Sequence, residues 1–264
     1  MRVISFNVNG IRAALRKGLA GFMAEQDADI LCLQEVKAHE GDIPPVPGGY
    51  HAYWHCAERK GYSSVGILSK TPPDAVHRGM NVRVYDVEGR VIRADFGGLS
   101  VISVYVPSGS SGETRLAYKL RFLKAFSRYT RTLLADGREL LICGDINIAH
   151  RPIDLTNWRS NQKTSGFLPV ERTWLDRFLA LGLTDSYRRF VGADTAAYSW
   201  WSLRSGARVR NVGWRLDYHL STPGLDERVV GAAIPMLPIL SDHAPVVIDY
   251  DITGDDDWLF GKFG

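Results

Sequence analysis

Polar side chains flank short apolar runs at six places along this 264-residue chain. Each run has the composition of a buried strand and borders a residue type that protein cores rarely accommodate. These residues are Asn7, Glu35, Tyr105, Asp145 with Asn147, Asp217, and Asp242 with His243. Because strand ends that lie side by side bring their terminal residues together, we predict that these side chains share one cleft. One such residue alone usually marks a strand that meets water, but six such places indicate a functional site.

The chemistry of this set indicates a divalent cation and a phosphate. It holds four carboxylates, two amides, one phenol and one imidazole. Oxygen ligands with at most one histidine are typical of Mg²⁺ or Mn²⁺, whereas zinc prefers cysteine and histidine. Mg²⁺ held by one or two carboxylates is typical of phosphoryl-transfer sites. A histidine beside an aspartate has a defined orientation and charge, so it can act as a base or bind a phosphate.

No motif for a competing chemistry is present. The chain lacks the phosphate-binding P-loop, the glycine-rich dinucleotide fingerprint, the zinc-protease helix motif and the nucleophile elbow of α/β-hydrolases. The serine-rich stretch 108–111 suggests a helix N-cap and phosphate-facing amides rather than a nucleophile.

The elements that must position these residues are short β-branched runs alternating with helix-like stretches. The alternation predicts two packed sheets with helices outside. The predicted strands are Val3–Phe6, Ile30–Gln34, Ala52–Cys56, Val65–Ser69, Val82–Tyr85, Val91–Phe96, Leu99–Val106, Leu140–Cys143, Tyr198–Trp201, Leu216–Ser221, Arg228–Ala233 and Val246–Tyr250. The predicted helices are Arg12–Gln26, Leu116–Leu134, with a capping box at Ser110 and Glu113, and Arg172–Leu181.

Composition narrows the class of protein. A hydrophobic share of 45% and a charged share of 23% exclude wholesale disorder. The longest uncharged apolar run, Val229–Leu240, is too short to span a membrane, and no secretory signal precedes the first strand. Three cysteines without paired spacing exclude a disulfide scaffold and a zinc ribbon, and favour a cytoplasmic location. The basic body and acidic tail are compatible with a polyanionic partner.

Six motifs resemble those of the exonuclease III family, the Mg²⁺-dependent apurinic/apyrimidinic (AP) endonucleases of base excision repair. They occur in the family's order and spacing between Met1 and about Tyr250: Asn7–Gly10, Leu33–Glu35, Tyr105–Pro107, Gly144–Asn147, Asn211–Tyr218 and Ser241–Pro245. The resemblance implies a four-layer αββα sandwich of the α/β class. In that fold two mixed β-sheets pack face to face, with helices on both outer faces. Because the motifs build one site, we expect a single domain over residues 1–250, followed by an acidic and aromatic tail, 251–264.

The resemblance implies cleavage of the phosphodiester 5′ to an abasic site in duplex DNA, which leaves a 3′-hydroxyl. It also implies 3′-phosphatase, 3′-phosphodiesterase and 3′→5′ exonuclease activity. Glu35 is then the principal ligand of Mg²⁺ or Mn²⁺, within a metal site formed by Asn7, Glu35, Asp145, Asn147, Asp242 and His243.

The resemblance also assigns catalytic roles. Asp145 positions or deprotonates the attacking water, or protonates the leaving group, and Asn147 orients the water. Asp217 and His243 form a dyad on the phosphate, which Tyr105 also contacts.

DNA contacts and a sugar pocket follow from the same resemblance. The expected DNA-binding residues are Arg12, Lys17, Tyr62, Asn157, Asn161 and Lys163. The expected pocket for the flipped-out abasic sugar is lined by Trp200, Trp214 and Leu216. Arg204, Arg208 and Arg210 form a basic loop that fits backbone contact, and most of the basic residues of the helix at 115–131 are expected on its solvated face.

Several alternatives share parts of this pattern. Phosphoinositide phosphatases and sphingomyelinases of the wider superfamily have the same skeleton, but Asn211–Tyr218 and Tyr105–Pro107 favour the DNA-repair branch. Within that branch, the rival is a dedicated 3′-phosphodiesterase or exonuclease with weak AP incision. A catalytically dead DNA-binding scaffold is a third possibility, which the intact residue set disfavours.

The tail and the partners complete the expectations. The partner is duplex DNA with abasic sites or blocked 3′ ends, bound by a monomer without membrane association, in a bacterial-type cytoplasm and nucleoid-associated through DNA. The tail's aromatic residues either dock on the enzyme itself or enter a partner's groove. Its closing Leu259-Phe260 resembles peptides that bind the bacterial sliding clamp.

Overall fold

The computed structural model of the chain describes residues 1–252. The strands are β1 (Arg2–Asn7), β2 (Ile30–Gln34), β3 (His51–His55), β4 (Val65–Ser69), β5 (Ala75–Arg78), β6 (Val91–Phe96), β7 (Leu99–Tyr105), β8 (Glu139–Asp145), β9 (Thr184–Asp185), β10 (Trp200–Trp201), β11 (Gly213–Trp214), β12 (Asp217–Ser221), β13 (Val229–Ala233) and β14 (Val246–Tyr250). The α-helices are α1 (Ile11–Arg16), α2 (Leu19–Gln26), α3 (Arg83–Asp86), α4 (Glu113–Ala135), α5 (Pro169–Leu179), α6 (Ser186–Val191) and α7 (Pro223–Asp226).

Two six-stranded sheets form the centre of the molecule. The first sheet has the order β13-β14-β1-β2-β4-β3, and the second has the order β5-β6-β7-β8-β12-β9. The β1/β2 and β7/β8 pairs are parallel and the other ladders are antiparallel, so both sheets are mixed. Each parallel pair needs a helical crossover, which α1 with α2 supplies in the first sheet and α4 in the second. The predicted mixed-sheet fold is confirmed.

Alternation along the strands separates the interior into layers. In β1 and β2, Val3 and Cys32 point between the two sheets, where they pack with Ile92 and Val101 of the second sheet. Their chain neighbours point the other way, as the period of two requires. Strands that are covered on both faces have continuous apolar sequences, so they are easily predicted from the sequence.

The outer faces of the sheets are covered by helices. Ile4 and Leu31 of the first sheet pack against Phe22 of α2, and Ile11 of α1 belongs to the same cluster. The second sheet packs against α4 and α5, and there the rings of Phe126 and Phe178 stack with centroids 5.4 Å apart. The order helix, sheet, sheet, helix is the predicted four-layer sandwich.

Two predicted elements are wrong. The stretch Arg12–Gln26 is two helices, because Gly18 takes φ +107° between them. The apolar run Val82–Tyr85 is not a strand but leads into α3, where the Asp86 carboxylate accepts the N–H groups of Met80 and Val82. Local hydrogen bonds outweigh the β-propensity of that run.

The start of α4 also differs from the prediction. The residue at its N-cap is Gly112 and no side chain caps the helix, so the expected capping box of Ser110 and Glu113 does not form. Ser110 instead hydrogen-bonds Ser108, with 2.9 Å between the hydroxyl oxygens. The predicted third helix begins at Pro169 rather than Arg172, since a proline fits the first turn. Within residues 1–252, no helix has the length and apolarity needed to cross a membrane.

Candidate active site

The predicted site residues converge at one end of the sandwich. Parallel pairing aligns Asn7 with Gln34, the last residue before Glu35, and aligns Tyr105 with Asp145. Antiparallel pairing then places Asp217 opposite Asp145. Asp217 therefore begins its strand rather than ending one, because the β12 strand runs against its neighbour.

A cluster of three ligand groups lies where the two sheets meet. One ligand atom from each of Glu35, Asp145 and His243 lies within 4.8 Å of the others. The Asn7 amide nitrogen donates to Glu35 Oε1 at 2.9 Å and to Asp145 Oδ2 at 3.0 Å. This amide therefore connects the carboxylate of the first sheet to that of the second.

Glu35 is held in its charged form by a lysine that the motif analysis did not single out. Lys37 Nζ lies 2.5 Å from Glu35 Oε2 and also donates to Asn9 Oδ1 at 2.5 Å. Burial raises the pKa of Glu35, but the Lys37 charge and the Asn7 hydrogen bond outweigh it, so that the pKa is lowered. Glu35 and Lys37 both have positive φ angles, +50° and +52°, and this turn brings both side chains to the site.

Asp145 has the opposite electrostatic environment. Burial, followed by the charge of Asp217, raises the pKa of Asp145 to about 8, although the His243 charge opposes the shift. Its side chain accepts the backbone N–H of Asn147 at 2.8 Å. A carboxyl with a raised pKa in a cleft is a candidate for proton exchange during a reaction.

His243 and Asp217 form a buried dyad. His243 Nδ1 lies 2.8 Å from Asp217 Oδ2, and His243 Nε2 lies 3.8 Å from Asp145 Oδ2. Burial lowers the pKa of His243, but the charges of Asp217, Asp145 and Asp242 outweigh it and raise the pKa to about 10. The imidazole is therefore a cation at neutral pH, aimed at the carboxylate cluster.

Asp242 lies beside the dyad but bonds elsewhere. Asn9 Nδ2 donates to Asp242 Oδ1 at 2.8 Å, and Trp200 Nε1 donates to Asp242 Oδ2 at 3.2 Å. Burial raises the pKa of Asp242, but the His243 charge and these hydrogen bonds lower it overall. Asp242 is outside the three-residue cluster of ligand atoms.

Asn147 and Tyr105 complete the edge of the site. Asn147, at φ +54°, donates from Nδ2 to the Val106 carbonyl at 2.9 Å and to Asp145 Oδ2 at 3.2 Å. Burial, followed by the charges of Glu35 and Asp145, raises the pKa of Tyr105 well above its usual value, so its phenol stays protonated. Arg90 lies 4.8 Å from the Tyr105 ring centroid and donates to the Tyr105 carbonyl at 3.0 Å.

A cluster of aromatic and apolar side chains, which we call the slot, adjoins the site. Trp200 and Trp214 face each other across the β10–β11 pair with ring centroids 6.4 Å apart at 79°. Leu216 packs with them and is itself buried, together with Phe167. An isolated bridge pairs the backbone of Trp200 with that of His243, which fixes the slot next to the dyad.

The expected DNA-binding residues have different environments. Arg12, Lys17, Asn157 and Lys163 are exposed, and Asn161 donates from its amide to the Asn157 carbonyl at 2.8 Å. The Tyr62 hydroxyl accepts from Arg90 at 2.9 Å and from Arg115 at 2.6 Å.

Two basic residues expected to be surface groups are structural. Arg208 donates to the carbonyls of Ser241 and Met236, and so holds the loop before the dyad. Lys119 was expected on the solvated face of its helix, but it is fully buried and ion-paired to Glu171. The signal that could have found Lys119 is its position between Leu116 and Leu123, on the apolar stripe of the helix.

A second buried charged cluster lies beside the site, and its role was not predicted. Arg215 Nε donates to Asp154 Oδ1 at 2.8 Å and Arg215 Nη2 to Asp185 Oδ2 at 2.7 Å. Arg188 Nη2 also donates to Asp154 Oδ1, at 2.7 Å. We call Asp154, Asp185, Arg188 and Arg215 the arginine cluster. Arg215 lies in the Asn211–Tyr218 motif, but no motif connects it with Asp154, Asp185 and Arg188, which come from separate segments of the chain.

The candidate site fits a divalent cation by its donor set. Its carboxylates outnumber the two cations that face them, Lys37 and His243. Burial, followed by the charge of Asp217, raises the pKa of Asp145, so its anion is unfavourable without a further cation. Hard oxygen donors with a single imidazole match Mg²⁺ or Mn²⁺ rather than a cysteine-rich zinc site.

The sequence matches the profile of the Endonuclease/Exonuclease/phosphatase family over residues 4–243, and the chain belongs to this family. It is 41% identical to an exodeoxyribonuclease of Bacillus subtilis (strain 168), covering 96% of this chain and 100% of that protein. It is 39% identical to the DNA repair nuclease APEX1 of Danio rerio, covering 94% of this chain and 81% of that protein.

Solved structures agree with these relatives. An AP endonuclease from Archaeoglobus fulgidus superposes with a TM-score of 0.87 at 31% identity, covering 96% of this chain and 100% of that one. A 3′ phosphatase from Neisseria, bound to a product DNA hairpin, superposes with a TM-score of 0.89 at 30% identity, with the same coverage. The predicted family and the predicted class of metal-dependent nuclease are confirmed.

Proposed function

We propose that the protein incises duplex DNA at abasic sites in base excision repair. It cleaves the phosphodiester 5′ to the lesion and leaves a 3′-hydroxyl, with 3′-phosphatase, 3′-phosphodiesterase and 3′→5′ exonuclease activity. One observation carries the proposal: the carboxylate–histidine cluster is joined through the Trp200–His243 bridge to an aromatic slot. Such a slot accepts a base-free sugar and excludes a nucleotide that still carries its base.

The cation would be held by Glu35 and Asp145, with Asn7, Asn147 and Asp242 completing the predicted metal site. His243, the remaining predicted member, is protonated at both ring nitrogens and faces the phosphate rather than the cation. The cluster of Glu35, Asp145 and His243 ligand atoms and the bridging Asn7 amide support the first part of this set. When bound, Mg²⁺ or Mn²⁺ supplies positive charge that stabilises the phosphate and the developing oxyanion.

The dyad binds the scissile phosphate. Asp217 orients His243 through Nδ1 and keeps it protonated, so Nε2 presents a proton and a positive charge to a phosphate oxygen. The protonated Tyr105 phenol donates a second hydrogen bond to the phosphate or to the leaving oxygen. Donors placed before the reaction need no reorganisation when charge develops.

Asp145 transfers a proton during the reaction. Its raised pKa suits a group that either takes a proton from the attacking water or gives one to the leaving oxygen. Asn147, bonded to that carboxylate through its backbone N–H and its amide, orients the water.

The slot selects the substrate. Trp200, Trp214 and Leu216 form apolar walls for a flipped-out deoxyribose without a base. Trp214→Ala is expected to weaken discrimination against intact nucleotides more than it lowers incision at abasic sites. An equal loss on abasic and undamaged duplexes would assign Trp214 to the core instead.

The DNA backbone lies against the surface around the slot. Arg12 and Lys17 at the first helix, and Lys163 beyond Asn157 and Asn161, would contact phosphates and the groove, and the exposure of Arg12, Lys17 and Lys163 supports this role. Tyr62 contributes to DNA binding through Arg90 and Arg115, which both donate to its hydroxyl. Each lost phosphate contact is expected to reduce the salt dependence of binding by about one unit of slope.

A three-substrate assay tests the proposed function. The substrates are an abasic duplex, a nick with a 3′-phosphate and an undamaged blunt duplex, each with Mg²⁺ or with EDTA. Rapid Mg²⁺-dependent incision of the abasic duplex supports the proposal. Fast 3′-phosphate removal with weak incision would instead support a dedicated 3′-phosphodiesterase or exonuclease, which the likeness to the Neisseria 3′ phosphatase favours. No cleavage of any substrate would indicate a DNA-binding scaffold.

The remaining expectations concern organisation and partners. We propose one catalytic domain over residues 1–250, acting as a monomer in a bacterial-type cytoplasm and associated with the nucleoid through DNA. The expected sliding-clamp peptide and the self-docking alternative both fall on the tail beyond residue 252, outside the described residues. Deleting residues 255–264 distinguishes them, because self-docking predicts a lower melting temperature and recruitment predicts loss of clamp binding alone.

A further inference from the structure

Lys119 and Glu171 form a fully buried ion pair beneath the candidate site, and the proposed mechanism uses neither residue. Lys119 comes from α4 and Glu171 from α5, and Lys119 Nζ lies 2.5 Å from Glu171 Oε1. Both side chains are 0% exposed. Removing two charges from water is costly, and well-packed apolar residues are often at least as stable in such a place. Stability alone is therefore a weak explanation for this pair.

The lysine also bonds the catalytic loop. Lys119 Nζ donates to the Asn147 backbone carbonyl at 2.8 Å. Asn147 has a left-handed backbone, at φ +54°, and its N–H donates to the Asp145 carboxylate. The ammonium therefore holds the peptide that follows Asn147, in the loop that carries both Asn147 and Asp145.

The glutamate bonds the wall of the slot. Glu171 Oε2 accepts the backbone N–H of Gly166 at 2.6 Å and that of Leu168 at 3.0 Å. A Cβ placed on Gly166 would lie 3.3 Å from the Trp214 ring and 3.4 Å from the Asn147 carbonyl oxygen. Gly166 is therefore the contact point between the slot and the catalytic loop.

We propose that Lys119 and Glu171 are positioning residues that hold the catalytic loop and the slot wall in one fixed relation. The ion pair ties the carbonyl of Asn147 to the loop that packs on Trp214. The sugar that the slot selects is then presented to Asp145 and Asn147 at a constant distance. The inference rests on the proposed incision at abasic sites, and it assigns the precision of that reaction to two residues that do not touch the substrate.

The main test removes both charges together. In Lys119→Met combined with Glu171→Gln, no lone charge stays buried, and the glutamine oxygen can still accept from Gly166. We expect kcat for abasic incision to fall about 100-fold, the size of effect that a misplacement of about 1 Å produces. KM and the melting temperature are expected to stay close to the wild-type values. Lys119→Arg keeps the donor and the charge and is expected to restore part of the rate.

A second readout does not depend on catalysis. Hydrogen exchange is expected to become faster in the double variant at residues 147–149 and 165–168, because the pair that joins these segments is gone. The Ala149 N–H donates to the Gly166 carbonyl at 2.8 Å, so its exchange rate measures the contact between the two segments directly. A merely structural pair would leave exchange in these two segments coupled to global unfolding.

A third variant tests the contact between the catalytic loop and the slot wall at Gly166. Gly166→Ala, at φ +100°, presses on the Trp214 ring and on Asn147, so it should lower kcat through the same misplacement. Because both changes act on one unit, their losses are expected to be non-additive when combined. Arg138→Met is the matched control. Arg138 donates to Ser100 and to the Gly97 carbonyl elsewhere in the second sheet, so its loss should lower stability without changing kcat.

The two proposals fail in different ways. If the wild-type protein does not incise the abasic duplex, the proposed function is wrong, and hydrogen exchange still tests the coupling of the two loops. If the wild-type protein incises and the double variant keeps the wild-type kcat, the positioning role is wrong. Additive losses for Gly166→Ala and the double variant would also overturn it.

Discussion

Two clusters of buried acids lie side by side in this protein, and they differ in how their charge is balanced. In the arginine cluster, Asp154 and Asp185 are matched by two arginines, and burial is outweighed by the Arg215 charge, so the pKa of Asp154 is lowered. At the candidate active site the carboxylates outnumber the cations, and the pKa of Asp145 is raised to about 8. The residues Arg215 and Asp217 are separated by one position in sequence but belong to different clusters.

This difference assigns a role to each cluster. A balanced buried network holds its members in one arrangement and has no capacity for another cation. An unbalanced network carries unfavourable electrostatic energy that a divalent cation can relieve. The arginine cluster is therefore expected to control stability, and the unbalanced cluster activity. Substitutions in each cluster test that division.

The largest expected effect is on activity. His243→Asn and Asp217→Ala should each lower the single-turnover rate of incision by about three orders of magnitude or more, since each removes the charged proton donor to the phosphate. DNA binding should persist, and the double variant should lose no more than the larger single loss, because the two residues act as one unit. Asp136→Ala, which changes an exposed acid, is the control. Additive losses in the double variant would contradict the dyad.

The next effect is on stability, at the balanced cluster. Arg215→Met leaves Asp154 and Asp185 buried without their main cation, which should cost about 3–5 kcal/mol of unfolding free energy in urea titrations. Adding Asp185→Asn should recover part of that loss, because Asp154 keeps its ion pair with Arg188 and no unpaired carboxylate remains. Arg210→Met, at an exposed arginine of the nearby loop, should have little effect. A loss below about 1 kcal/mol for Arg215→Met would remove the distinction between the two clusters.

Metal binding is a further test of the difference between the two clusters. Mg²⁺ should raise the melting temperature, with a stabilisation of about 2.7 kcal/mol at a hundredfold excess over its dissociation constant, and EDTA should reverse it. Glu35→Ala should raise the Mg²⁺ concentration needed for both stabilisation and incision. Arg188→Met in the arginine cluster should respond to Mg²⁺ like the wild type. If Glu35→Ala does so as well, Glu35 is not a ligand.

The smallest expected effect is on the pH dependence of stability, and it comes from a buried histidine that contrasts with His243. His243, among carboxylates, has a pKa of about 10, whereas burial of His219 without a charged partner lowers its pKa to about 3. The folded pKa of His219 lies below the unfolded value of about 6.5, so its contribution is fully present above pH 6.5 and is lost as the pH falls towards 3. By pH 5 the wild type should have lost about 2 kcal/mol from this residue.

The measurement is a pair of urea titrations at pH 7.5 and pH 5.0 on the wild type and on His219→Gln. The stability difference between the two proteins should shift by about 2 kcal/mol in favour of the variant at the lower pH. Comparing the two proteins cancels the contribution of His243, which has the opposite sign. A constant difference at both pH values would mean that the pKa of His219 is the same in the folded and the unfolded protein.

The elements with the strongest local signals were predicted well, and the failures have local causes. The strands of the two sheet centres are continuous apolar runs, and β7 and β12 lie close to their predicted bounds. The run Val82–Tyr85 failed because hydrogen bonds to the Asp86 carboxylate decide its conformation. Lys119 was misplaced because a lysine usually marks a solvated face, whereas here Glu171 of α5 and the Asn147 carbonyl compensate its burial.

The sequence alone determined the family, the fold and the residue types of the candidate site. Residue type is enough there because strand ends are local features, and six of them with one shared chemistry rarely arise by chance. The tertiary structure decided how charge is distributed among those residues. It placed Lys37 on Glu35, left Asp145 under-compensated, and matched Arg215 with acids from two distant segments. Those energies depend on distance and burial, which only the folded chain defines, because electrostatic interactions in a protein vary with position rather than with residue type.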